Sequence, residues 1–163
     1  MKYSKRLSKS DAHSQYLSNK IIFQENKDIK YLWIVIFIAV LTWSGINPKD
    51  QFTWFLEVLP VFIGGGLMAF TYNTFRLTPV LYVFILAHCI VLMIGGHYTY
   101  ADVPLFDNLF GSERNNYDKL GHFFQGFVPA LLAREIFIRK SIINGHAWMN
   151  ILIVSVCLAF SAF

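Results

Sequence analysis

The sequence is poor in charge and nearly without cysteine. Charged residues make up 15% of it, against roughly 25% in an average soluble domain. A water-soluble fold of 163 residues would need polar faces on its helices. The apolar blocks here are apolar all round, which is the pattern of helices in lipid. The 2 cysteines, Cys89 and Cys157, sit inside apolar blocks and outside any C-x-x-C or other metal-ligand spacing. They read as small buried hydrophobes, and no disulfide scaffold is expected. The opening residues lack the apolar core and small-residue cleavage site of a signal peptide. No segment repeats another.

What is present is apolar surface: 55% hydrophobic residues, 17% aromatic, with 16 Phe. The distribution is sharply divided. Residues 1–30 are polar and basic and carry Lys2, Lys5, Arg6, Lys9, Lys20, Lys27 and Lys30. They read as a mobile cytosolic tail that anchors topology, with weak affinity for anionic lipid. Residues 31–163 form the membrane domain. A net charge of +4 could point to nucleic acid, but the basic residues lie beside apolar spans, where they set orientation. Nucleic acid is therefore not an expected partner; the lipid bilayer is.

The apolar blocks predict an all-α, polytopic transmembrane helix bundle with about five spans, near 31–46, 52–72, 79–96, 118–139 and 147–163. Trp33 and Trp43 bracket the first, and Asn47-Pro48-Lys49-Asp50 forms a turn after it. Gly64-Gly65-Gly66 in the second should let another helix approach closely. The loop after the third span, about 20 residues, is the longest. Its Tyr98, Tyr100, Val103, Leu105, Phe106, Leu109 and Phe110 should fold it back onto the membrane surface. A cytosolic N-terminus puts 11 of the 14 Lys and Arg residues inside and leaves Lys49, Arg114 and Lys119 outside, as expected for this orientation.

One cluster of residues has the right types for chemistry. Asp118, His122 and Gln125 fall at i, i+4 and i+7, within about a 60° arc of one helix face. Glu57 lies near the outer end of the second span and His97, with Tyr98 beside it, at the outer end of the third. The topology brings Glu57, His97, Asp118, His122 and Gln125 to similar depth on one side. Polar groups are costly to expose to hydrocarbon, so they should face each other or a wet cavity. Asp118 and His122 are the catalytic candidates; His97, Glu57, Gln125 and Tyr98 are binding candidates. Two imidazoles and two carboxylates can also hold a divalent metal ion, with Asp118, His122 and His97 as ligands. The same groups can instead do acid–base work or bind a polar head group. A third reading is interhelical hydrogen bonding with no chemistry. His88, mid-span, reads as a satisfied interhelical bond, and Glu135, beside Arg134 and Arg139, as a local ion pair.

Three stretches carry a resemblance: Trp54-Phe55-Leu56-Glu57-Val58-Leu59-Pro60, Gly95-Gly96-His97-Tyr98-Thr99-Tyr100, and Arg114 through Ala130, which includes Tyr117-Asp118-Lys119-Leu120-Gly121-His122. They resemble the YjdF family of small bacterial inner-membrane proteins of unknown function, over about residues 30–163. There is a fainter similarity to VanZ-like membrane proteins, which place an Asp-Lys pair just before a His. The resemblance implies a multi-pass, all-helical protein of the bacterial cytoplasmic membrane and supplies no activity. Family members continue past the equivalent of Ser161-Ala162-Phe163 with an acidic Tyr-Glu-x-x-Glu-Trp stretch, so the resemblance implies that this chain is C-terminally truncated. The functional expectation is an outward-facing polar site acting on a lipid head group or envelope compound. The alternatives are a transporter or transporter subunit, whose polar path would continue inward through His88, and a structural membrane protein.

Overall fold

The structure is a computed structural model. It describes residues 9–100, 102–104, 116–143 and 145–162, with backbone alone for residues 9–26. Leu105, Phe106, Leu109, Phe110 and Arg114 lie outside the described residues. Among the described residues there are five helices and no strands: α1 (Lys9–Gly45), α2 (Gln51–Thr71), α3 (Pro79–Tyr98), α4 (Asn116–Arg139) and α5 (His146–Ser161).

Two compact units divide the chain between Ile38 and Ala39. In the first, α1 begins well ahead of Tyr31, and its described side chains are mostly exposed and apolar, among them Tyr31, Leu32 and Val35. Trp33 stacks on Phe37 one turn away, with centroids 5.3 Å apart.

In the second unit, the last turns of α1 lead into α2, and α2 through α5 pack in sequence order: α2 on α3, α3 on α4, α4 on α5. α3 and α4 run antiparallel: Tyr117 at the start of α4 meets Val91 late in α3, and Glu135 near the end of α4 meets Thr78 at the start of α3. Asp50 caps α2, accepting a hydrogen bond from the Thr53 N–H at 2.6 Å. Hydrogen bonding from the Thr53 N–H, and then from the Thr53 side chain, holds the Asp50 carboxyl below its ordinary range. Pro79 occupies the first turn of α3, where its missing N–H costs nothing.

The helices meet where glycine removes a side chain. A Cβ on Gly96 of α3 would stand 3.2 Å from Glu57 Cβ and 3.4 Å from Val58 Cγ2 of α2. A Cβ on Gly126 of α4 would stand 3.0 Å from the Cys157 carbonyl oxygen and 3.0 Å from Ser161 Cβ of α5. Both contacts are close-approach packing of the kind seen between helices in lipid. In the Gly64-Gly65-Gly66 run, Gly64 and Gly66 are exposed, with open space where a Cβ would stand, and Gly65 between them is half-buried. Both cysteines are free thiols, Cys89 buried and Cys157 half-buried.

Outward faces are apolar. Phe52, Leu67, Phe70, Val80, Val83 and Leu158 are all exposed, Phe70 by 87%. A soluble monomer does not present apolar surface on this scale. Residues 27–45, α2 and α3 are long and apolar enough to cross a bilayer, and α5 is a shorter apolar helix. α4 has the length, at 24 residues, but carries charge at both ends: Asp118 and Lys119 at one, Arg134, Glu135 and Arg139 at the other.

Candidate functional site

The candidate site lies at the end of the bundle where α2 and α4 begin and α3 finishes. α3 closes with two consecutive left-handed residues, Thr99 (φ 61°) and Tyr100 (φ 50°). Neither is glycine, so this conformation is strained and is held by its surroundings. The Tyr100 N–H donates to the Gly95 carbonyl at 2.8 Å, the capping pattern of a helix turned back on itself. The reversal drives Tyr100 inward. Its ring occupies the space that side chains on Gly95 of α3 and Gly121 of α4 would fill.

Three residues on Tyr100, Val103 is fully buried with Val91 and Tyr117. Tyr98, Tyr100, Leu120 and Phe124 pack around them. The Tyr117 hydroxyl donates to the Val91 carbonyl at 2.9 Å, tying the start of α4 to the body of α3. The first residues of the long loop are therefore inserted between helices.

Burial pushes the Tyr100 phenol well above its ordinary range. Negative charge on Glu57, on Tyr117 and on Asp118 acts in the same direction. Glu57 from α2 and Asp118 from α4 thus both lie within electrostatic reach of Tyr100. Asp118 pairs with His122 one turn on, Oδ1 to Nε2 at 3.6 Å, a charge contact rather than a hydrogen bond. Both side chains reach solvent, Asp118 at 60% and His122 at 45%. The other ring nitrogen, His122 Nδ1, is buried and has no hydrogen-bond partner among the described residues. The pair therefore spans the boundary between solvent and interior. Gln125 is half-buried on the same helix.

His97 sits at the expected level but turns elsewhere. Its neighbour Gly96 faces Glu57 and Val58, and one residue is about 100° of helical rotation. The His97 ring accordingly stacks on Trp43, centroids 4.7 Å apart, with Tyr98 edge-on at 4.6 Å. His97 Nδ1 lies 3.0 Å from the Ser44 carbonyl. A carbonyl only accepts, so Nδ1 carries the proton. Ser44, fully buried, receives the Trp54 Nε1–H on its hydroxyl at 3.3 Å. The Lys49 N–H donates to the His97 carbonyl at 3.0 Å, and the Lys49 ammonium pairs with Asp102. That pairing keeps the Asp102 carboxyl below its ordinary range. No ion pair or hydrogen bond joins His97 to Asp118 or His122 among the described residues. Nor do three His, Cys, Asp or Glu side chains there form a group able to hold a metal ion. A divalent ion would need donors beyond the Asp118–His122 pair.

The interior beyond this end is aromatic. His88 stacks on Phe124 (6.3 Å), Phe124 meets Phe123 (5.6 Å), Phe123 stacks on Phe127 (5.2 Å), and Phe127 meets Phe84 (5.3 Å). At the far end the Glu135 carboxylate accepts from the Thr78 N–H (2.9 Å), the Thr78 hydroxyl (2.8 Å) and Arg139 (2.7 Å), so it binds α4 to the start of α3.

A bundle of apolar-faced helices, with acidic and basic side chains held to its two ends, defines a multi-pass integral membrane protein. Residues 29–163 match the family described as "Predicted membrane protein (DUF2238)", and the chain belongs to that family. It is 48% identical over 126 residues to the inner membrane protein YjdF of Escherichia coli K12, an alignment covering 76% of this chain and 60% of that protein. The chain thus spans about 60% of the length of this curated relative. No solved structure matches it.

The sequence reading missed Tyr100 as a member of the site. The signal available was the adjacent Gly95-Gly96, which leaves room for a large ring, but the inward turn depends on backbone angles that no motif specifies.

Proposed function

We propose that this inner-membrane protein uses the Asp118–His122 pair, with Tyr100 and Glu57 behind it, as an acid–base site. It would act on a polar compound at the membrane boundary, a lipid head group or another envelope component. The observation that carries this reading is the pairing of an accessible carboxylate with an imidazole whose far nitrogen is buried. Asp118 lies against Nε2 of the ring, and Nδ1 faces the interior side, where an imidazole can exchange a proton. Tyr100, in reach of both carboxylates, supplies a phenol held neutral at physiological pH. Glu57 is the second carboxylate. His97 serves as a positioning residue that fixes the end of α3 against the turn after α1. The Lys/Arg distribution supports placing this end toward the periplasm.

The aromatic packing from His88 through Phe127 favours a site confined to the boundary over a continuous polar path. The test is comparative. Wild-type protein in nanodiscs of total bacterial polar lipid, supplied with a periplasmic extract, should alter at least one lipid or small molecule seen by mass spectrometry. Asp118→Asn and His122→Gln should not. Three identical profiles would leave the bundle-stabilising role as the reading.

A further inference from the structure

At the opposite end of the bundle, α3 and α4 enclose an open groove of about 310 Å³, within the range of small-molecule clefts, about 300–1,000 Å³. Its floor is apolar: Leu81 and Phe84 from α3, Leu131 and Ile138 from α4. Arg134 and Arg139 stand at its edge. Arg76 and Lys140 belong to the same end: Arg139 donates to the Arg76 carbonyl, and Arg139 and Lys140 both lie over the Phe75 ring, at 4.2 and 5.5 Å. Among the described residues lining the groove the one carboxylate, Glu135, is engaged by Thr78 and Arg139. Arg139 is the cation that pairs with Glu135, so Arg134 at the groove and Arg76 and Lys140 nearby leave a net excess of positive charge at this end.

We infer that this groove binds an anionic phospholipid of the surrounding leaflet, its phosphate among Arg134, Arg139 and Lys140 and part of an acyl chain along Leu81, Phe84 and Leu131. The argument is charge complementarity joined to shape. A free phosphate would use the cations but not the apolar floor, and a zwitterionic lipid would use the floor but gain less from the cations. Both features meet in a groove open to the side, and basic pockets between membrane helices suit anionic head groups. Arginine's planar fork suits phosphate in particular. The site is independent of the Asp118–His122 end.

The experiment is native mass spectrometry of the purified full chain, released from detergent after incubation with equimolar phosphatidylglycerol and phosphatidylcholine of identical acyl chains. Wild type should retain phosphatidylglycerol at least about fivefold over phosphatidylcholine, since fivefold corresponds to about 1 kcal/mol. Arg134→Glu combined with Lys140→Glu should bring the ratio to about one. Arg134→Gln, a milder change at an exposed position, should lower it measurably even where the double reversal impairs folding. Leu131→Trp, which fills the floor and keeps every charge, should reduce retention of both lipids. Equal retention by wild type, or an unchanged preference in Arg134→Gln and the double reversal, overturns the site. Displacement of bound lipid by millimolar glycerol phosphate overturns the lipid assignment in favour of a free anion.

Discussion

A side chain on Gly95 would begin inside the ring of Tyr100, its Cβ overlapping the ring carbons at the hydroxyl end. The same ring approaches Gly121 across the gap, Cε1 standing 2.8 Å from where that Cβ would be. Two glycines on different helices thus make one aromatic slot, and Tyr100 enters it only because the backbone at Thr99 and Tyr100 is left-handed.

Gly95→Ala and Gly121→Ala should each destabilise the bundle by about 1–3 kcal/mol, the usual range for overpacking a filled site. Gly64→Ala, on an exposed face of α2, should be neutral or stabilise by up to about 1 kcal/mol through helix propensity. Thermal unfolding in detergent, followed by helical circular dichroism, separates the two groups. Equal melting temperatures for Gly95→Ala and Gly64→Ala would mean that the Tyr100 slot has slack.

Tyr117 gives a second stability test. Its ring is 2% exposed and its hydroxyl binds the Val91 carbonyl. Tyr117→Phe should cost about 0.5–1.5 kcal/mol, the net worth of one hydrogen bond. Tyr117→Ala should cost about 3–5 kcal/mol by opening a cavity beside Val103. The two variants measured together apportion the hydroxyl and the ring.

Lys49 and Asp102 set a pH dependence. The Asp102 carboxyl is held below its ordinary value by its hydrogen bond to Lys49 and by that residue's charge. A depressed folded-state value means stability that is present above the unfolded-state value, about 3.9, and lost as pH falls through the folded-state value. Melting temperature should therefore drop below about pH 4, and Asp102→Asn should shallow that drop while lowering the plateau slightly. Both groups are solvent-exposed, so the change is small and should shrink further in high salt.

Topology is tested by fusing a reporter active only in the periplasm at residue 105 and, separately, at residue 76. The expected result is activity at 105 alone. Activity at 76 alone would invert the bundle and place the Asp118–His122 end in the cytosol.

The helical architecture was legible because its signal is one-dimensional: long runs such as Val80–Ile94 need only be counted. The Asp118–His122 contact was legible for a similar reason, since i,i+4 spacing sets it whatever surrounds the helix. Depth across helices was legible too, because Gly96 does stand level with Glu57. Rotation was not. Which way His97 points depends on how α3 is turned about its axis, and that is decided by packing at Gly95 and Gly96. The outward face of Gly64 and Gly66 has the same origin: small residues permit close approach without specifying which of them meets a neighbour.

The last prediction concerns coupling. Asp118 touches His122, and Glu57 and Asp118 both bear on Tyr100, whereas His97 is fixed by Ser44 and stacks on Trp43. Mutations in residues that share partners couple, by about 0.5–3 kcal/mol, while those at independent positions add. The loss of function or stability in Asp118→Asn combined with His122→Gln should therefore differ from the sum of the single losses. Asp118→Asn combined with His97→Gln should equal its sum within error. The single variants should also differ in kind. Asp118→Asn, at an exposed position, should cost at most about 1 kcal/mol of stability, so its effect, if the acid–base reading holds, falls on turnover. His97→Gln removes a half-buried stacked ring and its bond to the Ser44 carbonyl, so its effect falls on melting temperature and follows the integrity of the Ser44–Trp54 contact. Strong coupling between His97 and Asp118 would mean that the two meet in the working protein, and the site would then be rebuilt around both imidazoles.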